Sequence, residues 1–380
     1  MIICRMILQY MFIKNNSENL DKSTDRVLIR VDATEKVALG HLKRCLSLSC
    51  KLREKGVPVT FLSAKDKFTE TLIREMGFDH SYVDGETNSV NDFEFTIETA
   101  KKLSAKIAII DSYEIDAVYR KRLMDSGLFV VSIDDIADKD IPSHMIVNGN
   151  LNAENLKYEN TEMVSFCLGI KYLILGPDFW NLNEINNGNQ FDNVLITMGG
   201  IDHYDLTSRI MAMLDSIDAD FDITAIIGPY YQNVDSIRVE VSRMSKKADL
   251  VMSPPSLFPY MKKSSMAFSA GGQTLYELSV LGIPTIGVTL WENQATNVSE
   301  LSKMGAIIGV VYSNESKFDN TLRESASRII LDKNERRRLS TVSSALADGK
   351  GAERSASAII ESFEKWSSKA CFKKEKKWTI

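Results

Sequence analysis

Residues 266–294 read MAFSAGGQTLYELSVLGIPTIGVTLWENQ. A short apolar run ends at Ser269 and meets Ala270, Gly271 and Gly272. Thr274 to Leu281 then follows helical spacing, closes at Gly282 and is stopped by Pro284. The order is strand, glycine turn, helix start. Two adjacent glycines let a ligand approach the backbone closely, and the first N–H groups of the helix, with its dipole, attract an anion. A diphosphate is the natural guest. Glu277 falls about one turn inside the helix, at the depth where a carboxylate accepts hydrogen bonds from a ribose diol beside that diphosphate. Taken alone, such a pair of glycines is more often a tight turn beside a solvated glutamate, so the rest of the chain must decide.

Upstream, the same unit recurs. Val27 to Val31 is a β-branched run, and Leu42, Cys45, Leu46, Leu48 and Leu52 then repeat at helical spacing up to Gly56. Strands are expected at 57–62, 81–83, 107–110, 128–133 and 145–147, with helices at 67–76, 93–104 and 117–126. A second series has strands at 194–198, 221–227, 250–252, 266–268, 285–289 and 307–311. Nearly all-apolar strands alternating with amphipathic helices imply parallel sheets covered on both faces. The fold class is therefore α/β, with two doubly wound domains expected to face a cleft at the carboxyl ends of their strands. The boundaries fall at 26–182 and 193–350, joined by the Asn-rich linker 183–192, with a terminal helix and basic tail over 351–380.

Residues 1–25 begin MIICRMILQYMFI, too short to span a bilayer and without the basic start or cleavage site of a signal peptide, and are expected to lie outside the fold. The apolar share is 44%, the charged share 26% and the net charge −5, values of an ordinary soluble protein whose main partner is not nucleic acid. The five cysteines form no close ligand pairs and are odd in number, which suits reduced thiols in a cytoplasmic protein.

RVDATEKVALGHLKRCL, residues 30–46, sets Asp32 at the end of the first strand and Gly40 and His41 at the opening of the first helix. A histidine at a helix N-terminus is expected to stay neutral at pH 7 and so to accept a proton. Lys43 and Arg44 oppose the dipole in that first turn, which invites a functional reason. ITMGGIDHYDLT, residues 196–207, is a second glycine turn, with Asp205 the expected helix cap and His203 an exposed turn residue. Asp111 and Tyr113 in IIDSYEID, and Asp134 and Asp135 in SIDDIAD, each follow a strand. No His or Cys accompanies these carboxylates at ligand spacing, so no metal is expected. Trp291, Glu292, Asn293 and Gln294 cluster polar groups at the edge after another strand.

In that order, GHLKRC, DSYEID, DDIAD, MGGID, SAGGQTLYELSVLGIP and ENQ resemble the UDP-2,4-diacetamido-2,4,6-trideoxy-β-L-altropyranose hydrolases of pseudaminic acid biosynthesis, and the related spore-coat polysaccharide proteins. The resemblance covers roughly residues 26–365 and rests on several ordered motifs. It implies a GT-B fold and, more distantly, a likeness to the glycosyltransferase that makes the peptidoglycan lipid intermediate. His41 matches the family's catalytic histidine, expected to activate water at the anomeric carbon. Gly271, Gly272 and Thr274 match the diphosphate loop, Glu277 the ribose-binding carboxylate, and Gly199 and Gly200 the second glycine turn. Gly228 and Ser269 join this nucleotide site. Asp32, Gly40, Arg44, Asp111, Tyr113, Asp134, Asn293 and Gln294 are expected to bind the sugar. The chain departs from the family pattern at Ala38, where glycine is usual, and at Asn183, where arginine is usual.

The implied reaction is metal-independent, inverting hydrolysis of a UDP-sugar, with no cofactor and a monomeric or weakly oligomeric protein. A UDP-sugar-dependent glycosyltransferase, a non-catalytic nucleotide-sugar binding subunit and a UDP-sugar epimerase are the alternatives.

Overall fold

The computed structural model describes residues 25–32, 40–159, 163–182 and 191–375. Ala38, Asn183 and all but Asp25 of the N-terminal stretch lie outside these residues, as does most of the expected linker. The chain divides into two compact units: one runs to Gly176 and resumes at Lys350, the other is Pro177–Gly349.

In the first unit, β1 (Arg26–Val31), β2 (Val59–Ala64), β3 (Asp79–Val83), β4 (Ala105–Asp111), β5 (Phe129–Ile133), β6 (Met145–Asn148) and β7 (Ser165–Leu168) pair in parallel in the order β3-β2-β1-β4-β5-β6-β7. The strands β1, β4 and β5 are almost wholly buried, as a sheet covered on both faces requires. Helices α1 (Gly40–Glu54), α2 (Lys67–Glu75), α3 (Val90–Lys102) and α4 (Ala117–Asp125) connect the first five strands. Asp66, Ser89 and Asp116 cap the last three through their side chains. The sequence pattern missed β7, whose SFCL run is half exposed and carries no clear period. Because β1 has β2 on one side and β4 on the other, the strand order reverses between β1 and β4. Ligands of such sheets bind at that reversal, beyond the carboxyl ends of the strands.

The second unit repeats the plan. Strands β8 (Asn193–Thr197), β9 (Asp222–Ile227), β10 (Ala248–Met252), β11 (Met266–Ala270), β12 (Thr285–Thr289) and β13 (Ile308–Val311) pair in the order β10-β9-β8-β11-β12-β13. Their reversal lies between β8 and β11. Helices α5 (Leu206–Asp215), α6 (Val234–Val241), α7 (Phe258–Met261), α8 (Gln273–Val280), α9 (Glu292–Lys303), α10 (Ser316–Leu331) and α11 (Lys333–Ser344) complete it.

The terminal helix, α12 (Gly351–Glu375), belongs to the first unit and runs on into the expected basic tail. Phe363 and Trp366 pack on Phe129 of β5, with ring centroids 5.8 and 5.6 Å apart. Its start is close-packed as well: a Cβ at Gly351 would lie 2.0 Å from the Leu173 carbonyl oxygen. Contacts of this kind arise from chain return, which local pattern does not encode. Among the described residues no helix is long and apolar enough to cross a membrane.

Candidate active site

At the reversal of the first sheet, β4 ends on Asp111, fully buried, and the amide of Asp32 donates to the Asp111 carbonyl at 3.1 Å. Helix α1 opens beside them and delivers His41 and Arg44 from its first turn. Arg44 grips two carboxylates. Its Nε and Nη2 donate to Asp111 at 2.7 and 2.6 Å, and its Nη1 donates to both oxygens of Asp135 at 2.8 and 3.0 Å. The cation that local dipole arguments disfavour is thus held by bidentate charge-assisted bonds from two strand ends.

His41 Nδ1 lies 3.0 Å from Asp111 Oδ1. Burial disfavours the imidazolium, but the Asp111 carboxylate, aided by Asp135, outweighs burial and the opposing charge of Arg44, and the His41 pKa is raised above its ordinary 6.5. The shift runs opposite to the one expected from the helix terminus alone. The neighbour that decides the shift lies 70 residues away in the chain and is invisible to local reasoning. With Nδ1 turned to Asp111, Nε2 is the nitrogen left to accept a proton. Burial likewise opposes ionisation of Asp111, yet Arg44 and His41 hold its carboxyl far below the usual range.

Tyr113 packs edge-on to His41 at 4.6 Å and donates its hydroxyl to Asp135 Oδ2 at 2.6 Å. Burial and the Asp135 charge push its phenol upward, so it stays a donor. Asn150, after β6, donates to the carbonyl of Asp135 at 3.0 Å. His41, Arg44, Asp111 and Tyr113 therefore come together, and Asp135 joins them.

Asp134 and Asp32 point elsewhere. Asp134 accepts from Tyr158 at 2.8 Å and from the Ala137 amide at 2.9 Å, and burial raises its pKa. Asp32 accepts from Ser112 Oγ and pairs at 3.2 Å with Arg30, a fully buried guanidinium clamped by Asp92. Ser112 Oγ in turn takes the amides of Glu114 and Ile115, so this network shapes the turn that carries Tyr113. Gly40 is the first residue of α1, with open space where a Cβ would sit.

The second unit gathers its glycines at its own reversal. Gly199, with φ of +90°, and Gly200 follow β8, and Gly228 follows β9. A Cβ on Gly228 would stand 2.3 Å from the Gly200 carbonyl oxygen, so only glycine fits between the two turns. Asp202, not Asp205, caps α5, accepting the amides of Leu206 and Thr207 at 2.9 and 2.8 Å. Asp205 adopts a left-handed conformation instead and bonds Ser208 and Tyr231 through its side chain. His203 is exposed, as expected.

After β11, the Gly271 amide donates to Val288 at 3.1 Å, and a Cβ there would meet Val298 at 2.6 Å and Gln294 at 2.9 Å. Gly272 caps α8 with nothing within 4 Å of its Cβ position. The tight glycine and the open one divide the labour: the first lets α9 close on the loop, and the second leaves room before the helix start. Thr274 is half-buried in the first turn, and Glu277 is buried one turn on. Ser269 is fully buried and donates to the Ala270 carbonyl. Gln294 spends its amide oxygen on the Leu290 N–H at 3.1 Å. Asn293 sits in the first turn of α9, and its side chain lies outside the described part of the structure.

Residues 193–354 match the profile of the Glycosyltransferase family 28 C-terminal domain. MurG of Acinetobacter baumannii superposes with a TM-score of 0.66 at 14% identity, over 89% of this chain and 99% of that one. That likeness shows the fold, GT-B, as the motifs implied. An uncharacterized protein of Methanocaldococcus jannaschii is 26% identical over 71% of this chain and 56% of its own length. This GT-B chain thus spans little more than half of that relative. The UDP-2,4-diacetamido-2,4,6-trideoxy-beta-L-altropyranose hydrolase of Campylobacter jejuni is 23% identical, over 74% of this chain and 97% of its own. The resemblance drawn from the motifs is therefore met by a relative bearing that name. The matched profile begins with β8 and ends within the first turn of α12.

Proposed function

We propose that this chain hydrolyses a UDP-linked diacetamido-trideoxy hexose to the free sugar and UDP, with inversion at the anomeric carbon. The observation that carries the reading is the His41–Asp111 pair at the sheet reversal, secured by Arg44, Asp135 and Tyr113. A histidine whose one nitrogen is turned to a buried carboxylate is built to take a proton on the other. His41 Nε2 takes the proton from water as the water oxygen bonds the anomeric carbon. The C–O bond to the diphosphate breaks, and its electron pair leaves with UDP. The amides at the start of α8 stabilise the negative charge that grows on the leaving diphosphate, and Glu277 takes the ribose diol. No metal takes part in this reading, and the setting is the cytoplasm.

His41→Asn removes the base and leaves the second unit intact. UDP release from the UDP-sugar, followed by proton NMR, is expected to fall at least 10²-fold while UDP binding persists. Near-normal turnover would sink the reading. The family 28 match favours a second reading, transfer of the sugar to an acceptor. Stoichiometric UDP release without any acceptor separates hydrolysis from transfer.

A further inference from the structure

At the carboxyl edge of the second sheet, Tyr204 follows β8, Trp291 follows β12 and Tyr312 follows β13. Tyr204 and Tyr312 stack with centroids 4.3 Å apart and 28° between planes. Trp291 lies 5.5 Å from Tyr204, and His203 lies 6.0 Å from Trp291. Phe318 buttresses Tyr312 from the core side at 5.3 Å. Trp291 is nonetheless 49% exposed. Tyr204 and Tyr312 are half-buried, and of the three rings the indole at the end of the row is the one left open to water.

The row adjoins the glycine loop. Trp291 caps α9, its carbonyl accepts the Gln294 amide at 3.0 Å, and Gln294 closes on Gly271 together with Val298. Trp291 thus opens the helix whose first turn packs on the glycine loop. We infer that the exposed indole of Trp291, backed by Tyr204 and Tyr312, is the platform on which the sugar ring of the nucleotide-sugar lies. The inference rests on the proposed function for its substrate. Two acetamido methyls and a deoxygenated C6 give such a sugar an unusually apolar C–H face, and C–H groups are drawn to the electron-rich face of an indole. The platform thus selects for the acetamido and deoxy positions, while the glycine loop binds any nucleoside diphosphate.

Calorimetric titration with UDP, and with UDP-2,4-diacetamido-2,4,6-trideoxy-β-L-altropyranose on His41→Asn background to prevent turnover, tests this. Adding Trp291→Ala is expected to weaken the UDP-sugar about tenfold and UDP less than about twofold, with Trp291→Phe restoring most of the loss. Equal weakening of both ligands, or of neither, overturns the inference. So does a parent protein that binds the UDP-sugar no tighter than UDP. A wild-type protein that binds the UDP-sugar through Trp291 without releasing UDP would overturn the proposed hydrolysis and leave the platform standing.

Discussion

Asp111→Asn isolates the charge that governs His41. In the native site burial pulls the imidazole pKa down, Arg44 pulls it further, and the Asp111 carboxylate at 3.0 Å, aided by Asp135, more than reverses both, leaving it above 6.5. Asparagine keeps the shape and an acceptor oxygen but removes the charge. Burial and Arg44 then prevail over the weaker pull of Asp135, so the His41 pKa is expected to drop below 6.5. The sign follows from the base role. Wild-type kcat/KM rises with pH through a midpoint above 6.5, and the variant rises through a midpoint below it, at a plateau lower by about 10²-fold because the imidazole loses its orienting partner. Stability is affected separately. Arg44 loses bonds of 2.6 and 2.7 Å to Asp111 but keeps Asp135 at 2.8 and 3.0 Å. Removing one partner of a buried pair costs ~3–5 kcal/mol when the charge is stranded, so with Asp135 retained a loss of about 2 kcal/mol is expected. UDP release measured from pH 5 to 9, at a temperature where thermal melts show the variant folded, checks both numbers. A midpoint that stays above 6.5, or moves upward, refutes the assignment of the shift to Asp111.

Gly228→Ala drives a Cβ to 2.3 Å from one backbone carbonyl and 2.5 Å from another. Backbone yields less than side-chain tips, so a loss of roughly 1–3 kcal/mol in chemical denaturation is expected, together with weaker UDP binding by calorimetry. Asp202→Ala leaves the Leu206 and Thr207 amides of α5 without their acceptor. It should cost ~1 kcal/mol in urea melts and leave the pH profile of UDP release unchanged, since Asp202 belongs to the other unit.

Both sheets were legible from apolar runs alternating with helical periods, because a parallel sheet covered on both faces must be written that way. Strand order was not, since each reversal depends on which strand pairs with β1 or β8 after a crossover. The return of α12 to the first unit was equally hidden. Its apolar face reads only as a helix needing a partner, and nothing local says that the partner is Phe129. Gly228 is among the residues expected in the nucleotide site, and the close approach of its backbone to Gly200 supplies the physical reason for a glycine there.

The site itself shows where sequence reasoning stops one residue short. Asp134 and Asp135 follow β5 as a pair, and Asp134 was the one assigned to the sugar. Successive residues leaving an extended strand point to opposite sides, so one of the two must turn toward α1 and the other away. Asp135 is the one that meets Arg44 and Tyr113, while Asp134 turns to Tyr158. Their chemistry diverges accordingly. The cation beside Asp135 overcomes burial and holds its pKa below the ordinary carboxylate value, whereas burial wins at Asp134 and raises it. Two adjacent aspartates, identical to any reading of composition, thus carry opposite shifts because a single guanidinium stands on one side of the strand. Had Arg44 been read as a cation that must find carboxylates to justify its place at a helix N-terminus, the pair Asp111 and Asp135 would have been the natural candidates, each the last charge delivered by a central strand to the same edge.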